Sequence, residues 1–228
     1  MTIDFEAPIT AAGSRGHRTA VSIPVEHALA RGETVVLWDG ERARLGYAAQ
    51  SASIAQTAFA IRHSSGFLQL ALPSPDCDRL LIPVTPTLPS RPSSDGYRQC
   101  IGIDAAQGVT TGISAADRAR TARVLADTRT VPEDLVRPGH LVVVAVDPGY
   151  RGERAVPRLA LHLNAAGHGG LVFTDLVSER HPAAMADEHE ATSFALAQRL
   201  PLHIGATPTA APSDVQRRTR PTLFARGR

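Results

Sequence analysis

Lysine is absent: the 24 basic residues of this 228-residue chain are all arginine. A Schiff-base lysine, a pyridoxal-phosphate lysine and the lysine of a Walker-type phosphate loop are therefore excluded. Cysteine occurs only at 77 and 100. Two are too few for a disulfide framework or a four-cysteine zinc site, and a reduced, cytoplasmic compartment is the expectation. Aromatic residues are only 4% of the chain, against 43% hydrophobic overall, so the core must be aliphatic. No apolar run approaches the roughly 18 residues of a membrane span. The start, Met1 to Glu6, lacks the basic and apolar segments of a signal peptide, and no membrane partner is expected. A large charge surplus is missing too. The formal charge is +2, but residues 205–228 hold five arginines against Asp214, which leaves residues 1–204 at −2. A nucleic-acid-binding face is not indicated. The basic tail could contact an acidic partner, or be a plain disordered tail.

Segments of strand and helix character are interleaved irregularly, which favours an α+β or mixed α/β single domain. The expected organisation is an irregular arm over 1–21, a domain over 22–205 and a basic disordered tail over 206–228. A helix is predicted from Pro24, with Ser22 as its cap and Gly32 at its end. Thr34–Trp38 reads as a strand, Asp39-Gly40 as a turn, and the Ala-rich stretch from Tyr47 to Ile61 as one or two helices. Further strands are expected at 66–72, 100–104, 141–146, 171–175 and 202–204. Helices are expected at 76–81, 114–127, 156–166 and 188–200. Residues 83–96, with four prolines, read as a loop.

The most informative residues are Gly108-Val-Thr-Thr-Gly-Ile-Ser-Ala-Ala-Asp-Arg-Ala-Arg-Thr-Ala122 and, after Pro132-Glu-Asp-Leu-Val, Arg137-Pro-Gly-His140. Both blocks, at this spacing, resemble the 3,4-dihydroxy-2-butanone 4-phosphate synthase family. Ala28–Leu37, Leu72–Leu80 and Leu171–Leu176 extend the resemblance, which covers about residues 22–205. It implies that family's α+β fold and a homodimer with its sites at the subunit interface. It also implies a reaction that removes C4 of ribulose 5-phosphate as formate with a divalent metal, usually Mg²⁺. Such a hard cation prefers oxygen ligands.

The chain departs from the family where that metal is held. The family's Arg-Glu-x-Glu-Gly-Asp corresponds to Arg42-Ala-Arg-Leu-Gly-Tyr47, and its Gly-His-Thr-Glu-Ala to Arg154-Ala-Val-Pro-Arg158. No metal ligands and no cofactor are therefore expected. By resemblance, His140 falls on a catalytic His, Asp175 on a catalytic Glu, and Cys77 and Asp104 border the site. Thr110 and Thr111 lie in the central block. His140 suits a general acid or base, although Arg-Pro-Gly-His also reads as a structural turn. Asp175 reads equally as a strand end, and Cys77 as a buried apolar residue. Arg42, Arg137, Arg151 and Arg154 are candidate anion-binding residues, and Arg44 and Arg158 fall in the same two degraded motifs, unless all simply reflect a chain whose sole cation is arginine.

The expectation is a repurposed, metal-free lyase-, isomerase- or cyclase-like enzyme of specialised biosynthesis. It would act on a small phosphorylated or sulfated metabolite, with His140, Asp175 and Cys77 as chemical groups. Two alternatives stand beside it. One is a non-catalytic subunit supporting a partner protein of the same pathway. The other is the family's own synthase with relocated ligands.

Overall fold

A mixed seven-stranded sheet organises the chain, in the order β4-β5-β3-β6-β2-β1-β7. The computed structural model describes residues 24–86, 95–181 and 183–205. The expected arm, the tail, Ser22 and much of the proline-rich loop fall outside these residues. The strands are β1 (Val35–Trp38), β2 (Ala43–Ala48), β3 (Gln69–Pro73), β4 (Tyr97–Ala105), β5 (Leu135–Val146), β6 (Leu171–Asp175) and β7 (Leu202–Ile204). The helices are α1 (Val25–Ala30), α2 (Ile54–His63), α3 (Ser74–Arg79), α4 (Ala115–Ala126), α5 (Ala155–Ala165) and α6 (Glu188–Gln198). No helix of the described residues is long and apolar enough to cross a membrane.

Two apolar layers sandwich the sheet, because its central strands are buried on both faces. Val25, Ala28 and Leu29 of α1 pack with Val156, Leu159 and Leu163 of α5 on one side. Ala60 of α2, Ala122 and Leu125 of α4, and Ala191 and Ala195 of α6 join the core on the other. Small alanines let these helices approach the sheet closely, as a core poor in aromatics requires. Ser53, Ser114 and Asp187 cap α2, α4 and α6 by accepting a backbone N–H in the first turn.

One expectation is corrected here. Tyr47 and Ala48 belong to strand β2, not to a helix, and the Ala-rich helix starts at Ile54. Every residue of β2 is buried, since the strand lies between β1 and β6 with helices over both faces. A strand buried on both sides loses the alternating pattern that would announce it.

The segment Arg137–His140 is neither a free turn nor regular strand. Ile103 of β4 pairs with Leu141 and Asp104 pairs with Val136, so the four residues between bulge out of the ladder within β5. A bulge tolerates Pro138, which has no N–H to donate. It also needs Gly139, where a Cβ would stand 2.2 Å from the backbone nitrogen of Asp104. Gly139→Ala should therefore lower stability by roughly 1–3 kcal/mol. Denaturant titration checks this, and an unchanged midpoint would contradict the described packing.

Candidate functional site

The bulge returns the chain so that His140 meets Asp104. The backbone N–H of His140 donates to Asp104 Oδ1 (3.0 Å), and its Nδ1 lies 2.8 Å from Oδ2. An ionised carboxylate can only accept here, so Nδ1–H donates to Asp104 and the tautomer leaves the Nε2 lone pair unengaged by this pair. Asp104 is buried, while the His140 side chain is 46% exposed. Gly112 packs on this pair. It has φ +79°, and a Cβ would lie 2.1 Å from Asp104 Oδ2 and 2.5 Å from His140 Nδ1.

The loop carrying Gly112 is tied to the start of α4 by Asp117. Its carboxylate accepts the Thr110 N–H (3.0 Å), the Thr110 hydroxyl (2.9 Å) and the Gly112 N–H (3.1 Å). Ser114 caps the helix by accepting from the Asp117 N–H (3.1 Å). These bonds, led by that from the Thr110 N–H, hold the Asp117 carboxyl below its usual range. Thr121 anchors the start of the loop by accepting the Ala105 N–H (3.0 Å). Thr110 is exposed despite its bonds, and Thr111 is exposed as well.

Arginine and carboxylate dominate a second cluster. Arg44 on β2 stands directly opposite Asp175 on β6, with its side chain 2% exposed. Its Nε donates to Asp175 Oδ1 (2.8 Å), and its Nη1 pairs with Asp39 Oδ2. Asp39 closes the β1–β2 turn by accepting the N–H groups of Glu41 (3.2 Å) and Arg42 (3.0 Å). Arg154 reaches Asp39 (3.3 Å) and Glu41, and Arg42 reaches Asp95 (2.9 Å). Burial opposes the charged form of both Asp39 and Arg44. Their mutual attraction outweighs it, lowering the Asp39 pKa and raising that of Arg44. Removing one partner of a buried pair like this costs about 3–5 kcal/mol.

This cluster corrects the anion-pocket expectation. Arg42, Arg44 and Arg154 do converge, but each is ion-paired with carboxylate, although Arg154 Nη1, 3.3 Å from Asp39, is buried without a hydrogen bond. Arg151 is exposed and donates to the carbonyls of Pro148 and Tyr150. Arg137 spends its guanidinium on the carbonyls of Leu80, Leu81, Pro132 and Leu135, clamping the bulge to the end of α3. Cys77 is buried against Cys100, and that contact together with burial pushes its thiol above the ordinary range. It is a core group, not a poised thiolate.

His140 and Asp175 share one end of the sheet but do not meet within the chain. Val142 and Phe173 both flank Gln69 of β3. Two strand spacings, about 10 Å, therefore separate the rows of His140 and Asp175. Sequence reasoning placed Arg44 among the converging arginines but missed that it is buried between Asp175 and Asp39, the latter taken only for a turn residue. An arginine in a stretch that otherwise reads as buried was the available signal, because buried guanidinium requires carboxylate.

The residues present do not fit a divalent ion at this cluster. The two carboxylates that converge there do so on Arg44, and Ala43, Leu45 and Tyr47 are buried core residues. Among the described residues no three His, Cys, Asp or Glu side chains group as metal ligands.

The family 3,4-dihydroxy-2-butanone 4-phosphate synthase matches residues 24–207. The riboflavin biosynthesis protein RibBA of Nocardia farcinica is 38% identical over 176 residues, covering 73% of this chain and 42% of that protein. RibBA of Salinispora tropica is 42% identical over 124 residues, covering 53% and 30%. The chain thus spans less than half the length of these curated relatives. Among solved structures, the Candida albicans 3,4-dihydroxy-2-butanone 4-phosphate synthase aligns at 27% identity with a TM-score of 0.68, covering 81% of this chain and 95% of that one. A 3,4-dihydroxy-2-butanone 4-phosphate synthase in complex with two magnesium ions aligns at 28% identity with a TM-score of 0.67, covering 79% and 90%. These matches overturn the expectation of an enzyme repurposed for another anionic metabolite of specialised metabolism.

The Asp117 anchor generates a test. Its lowered pKa means that its hold on the loop is complete above the ordinary Asp value of about 3.9 and is lost as pH falls through the lower folded value. Asp117→Asn should speed amide hydrogen exchange at Thr110 and Gly112 by on the order of ten-fold at neutral pH. Unchanged exchange would contradict the anchor.

Proposed function

Because this chain belongs to the 3,4-dihydroxy-2-butanone 4-phosphate synthase family, we propose that it acts in riboflavin biosynthesis as a domain of that synthase, on ribulose 5-phosphate. The observation that carries the reading is the His140–Asp104 pair, with the His140 side chain half-exposed and packed against the Asp117-tied loop. Enolising a ketose phosphate requires a proton to leave carbon and return to oxygen or carbon, which an imidazole near neutral pH does well. Asp104 sets the tautomer and steadies the imidazolium that forms. Thr111, exposed between the anchored Thr110 and Gly112, would donate to a substrate oxygen in this reading. The homodimer implied by the family belongs to the proposal. A second copy would supply groups from across the interface to a site whose His140 and Asp175 stand apart within one chain.

One observation favours a second reading, a non-catalytic subunit beside a partner enzyme of the pathway. Asp175, at the position of the family's catalytic Glu, is engaged by Arg44. A formate assay separates the two readings. The purified chain, given ribulose 5-phosphate and Mg²⁺, should release formate, and His140→Ala should cut the rate by about 10²–10⁴. No formate from the unaltered chain would refute the synthase reading and leave the subunit reading.

A further inference from the structure

We infer that Arg44 is the resident cation of this domain, and that it closes the Asp39–Asp175 carboxylate pair to any divalent ion. The inference stands on the ion-pair geometry and holds under either functional reading.

Two carboxylates from separate elements converge at the end of the β2–β6 ladder, Asp39 from the β1–β2 turn and Asp175 from the last position of β6. Facing carboxylates without a cation would repel each other, and one would have to take up a proton. A divalent ion could bridge them, completing its octahedron with water at about 2.0–2.1 Å. Arg44 does so instead. Its planar guanidinium places Nε on Asp175 and Nη1 on Asp39, bridging the two carboxylates with directed donors that a compact ammonium lacks. The remaining Asp39 oxygen is taken by two backbone N–H groups and by Arg154.

Arg44 is anchored at its backbone. Its Cα is held in the sheet by pairing with Leu37 on one side and Asp175 on the other. Its neighbours Ala43 and Leu45 are fully buried. Opening the pair to a metal would leave this guanidinium buried and unpaired. The wider cluster supplies no spare attraction for an anion either. Its three guanidiniums, of Arg42, Arg44 and Arg154, face the four carboxylates of Asp39, Glu41, Asp95 and Asp175. The cluster is a closed, slightly acidic knot.

Manganese titration followed by electron paramagnetic resonance, with the full chain and no substrate, tests the inference. The unaltered chain should show no saturable Mn²⁺ site that Asp39→Asn or Asp175→Asn removes, and Mn²⁺ should leave its melting temperature unchanged. Arg44→Ser frees both carboxylates. It should melt lower, gain one saturable Mn²⁺ site, recover melting temperature on adding Mn²⁺, and lose the site when combined with Asp175→Asn. A saturable site in the unaltered chain that Asp175→Asn abolishes would overturn the inference, and so would an Arg44→Ser protein that folds but binds no Mn²⁺. If Arg44→Ser does not fold, the unaltered chain and its Asp39→Asn and Asp175→Asn variants still decide. Binding that survives both carboxylate changes lies elsewhere and agrees with a closed pair.

Discussion

A charge buried in the middle of a sheet must be answered, and the answer given to Arg44 shapes half of this domain's functional end. The guanidinium sits on a strand with no exposed residue. Desolvation alone would expel it. It stays because Asp39 and Asp175 come to it, and their coming fixes the β1–β2 turn and the end of β6. Arg154 and Arg42 then extend the knot to the start of α5 and to Asp95, just before β4. The order of this region therefore rests on electrostatic pairing within a low-dielectric setting, where breaking one partner is far more costly than at a surface.

The other half of that end is built differently. His140, on the strand bulge, hydrogen-bonds Asp104, Asp117 holds Gly112 in the helix-capping loop, and Gly112 packs the two groups together. Their closeness is steric in origin, since Gly112 and Gly139 occupy places where no side chain fits. This half offers a half-exposed imidazole. The Arg44 half is closed upon itself. The His140–Asp104 pair and its glycine-packed loop thus stand beside a cluster whose carboxylates already have their cation.

Much of this was legible in the sequence because it is local. The Gly108–Ala122 block carries its own cap, turn and helix, and Ser114 does what its position predicts. Val-rich strands such as Leu141–Val146 announce themselves. What stayed hidden depends on partners far apart in the chain. Arg44 and Asp175 are 131 residues apart and Arg154 and Glu41 are 113 apart, so no local spacing could disclose that the arginines meet acids and not a ligand. Strand β2 was masked by burial on both faces, and the alanines that followed suggested a helix. The role of Arg137 was hidden because its acceptors are backbone carbonyls, which every sequence has. The expectation of a new substrate rested on the missing acidic loop. That absence speaks to how the knot is closed, while family membership is carried by the rest of the chain.

The central claim is structural, so a structure tests it most directly. Crystals of the unaltered chain soaked in manganese and measured at the manganese absorption edge should show no anomalous peak between Asp39 and Asp175, with Arg44 still donating to both. A peak at that position, with the guanidinium displaced from the two carboxylates, would contradict the account.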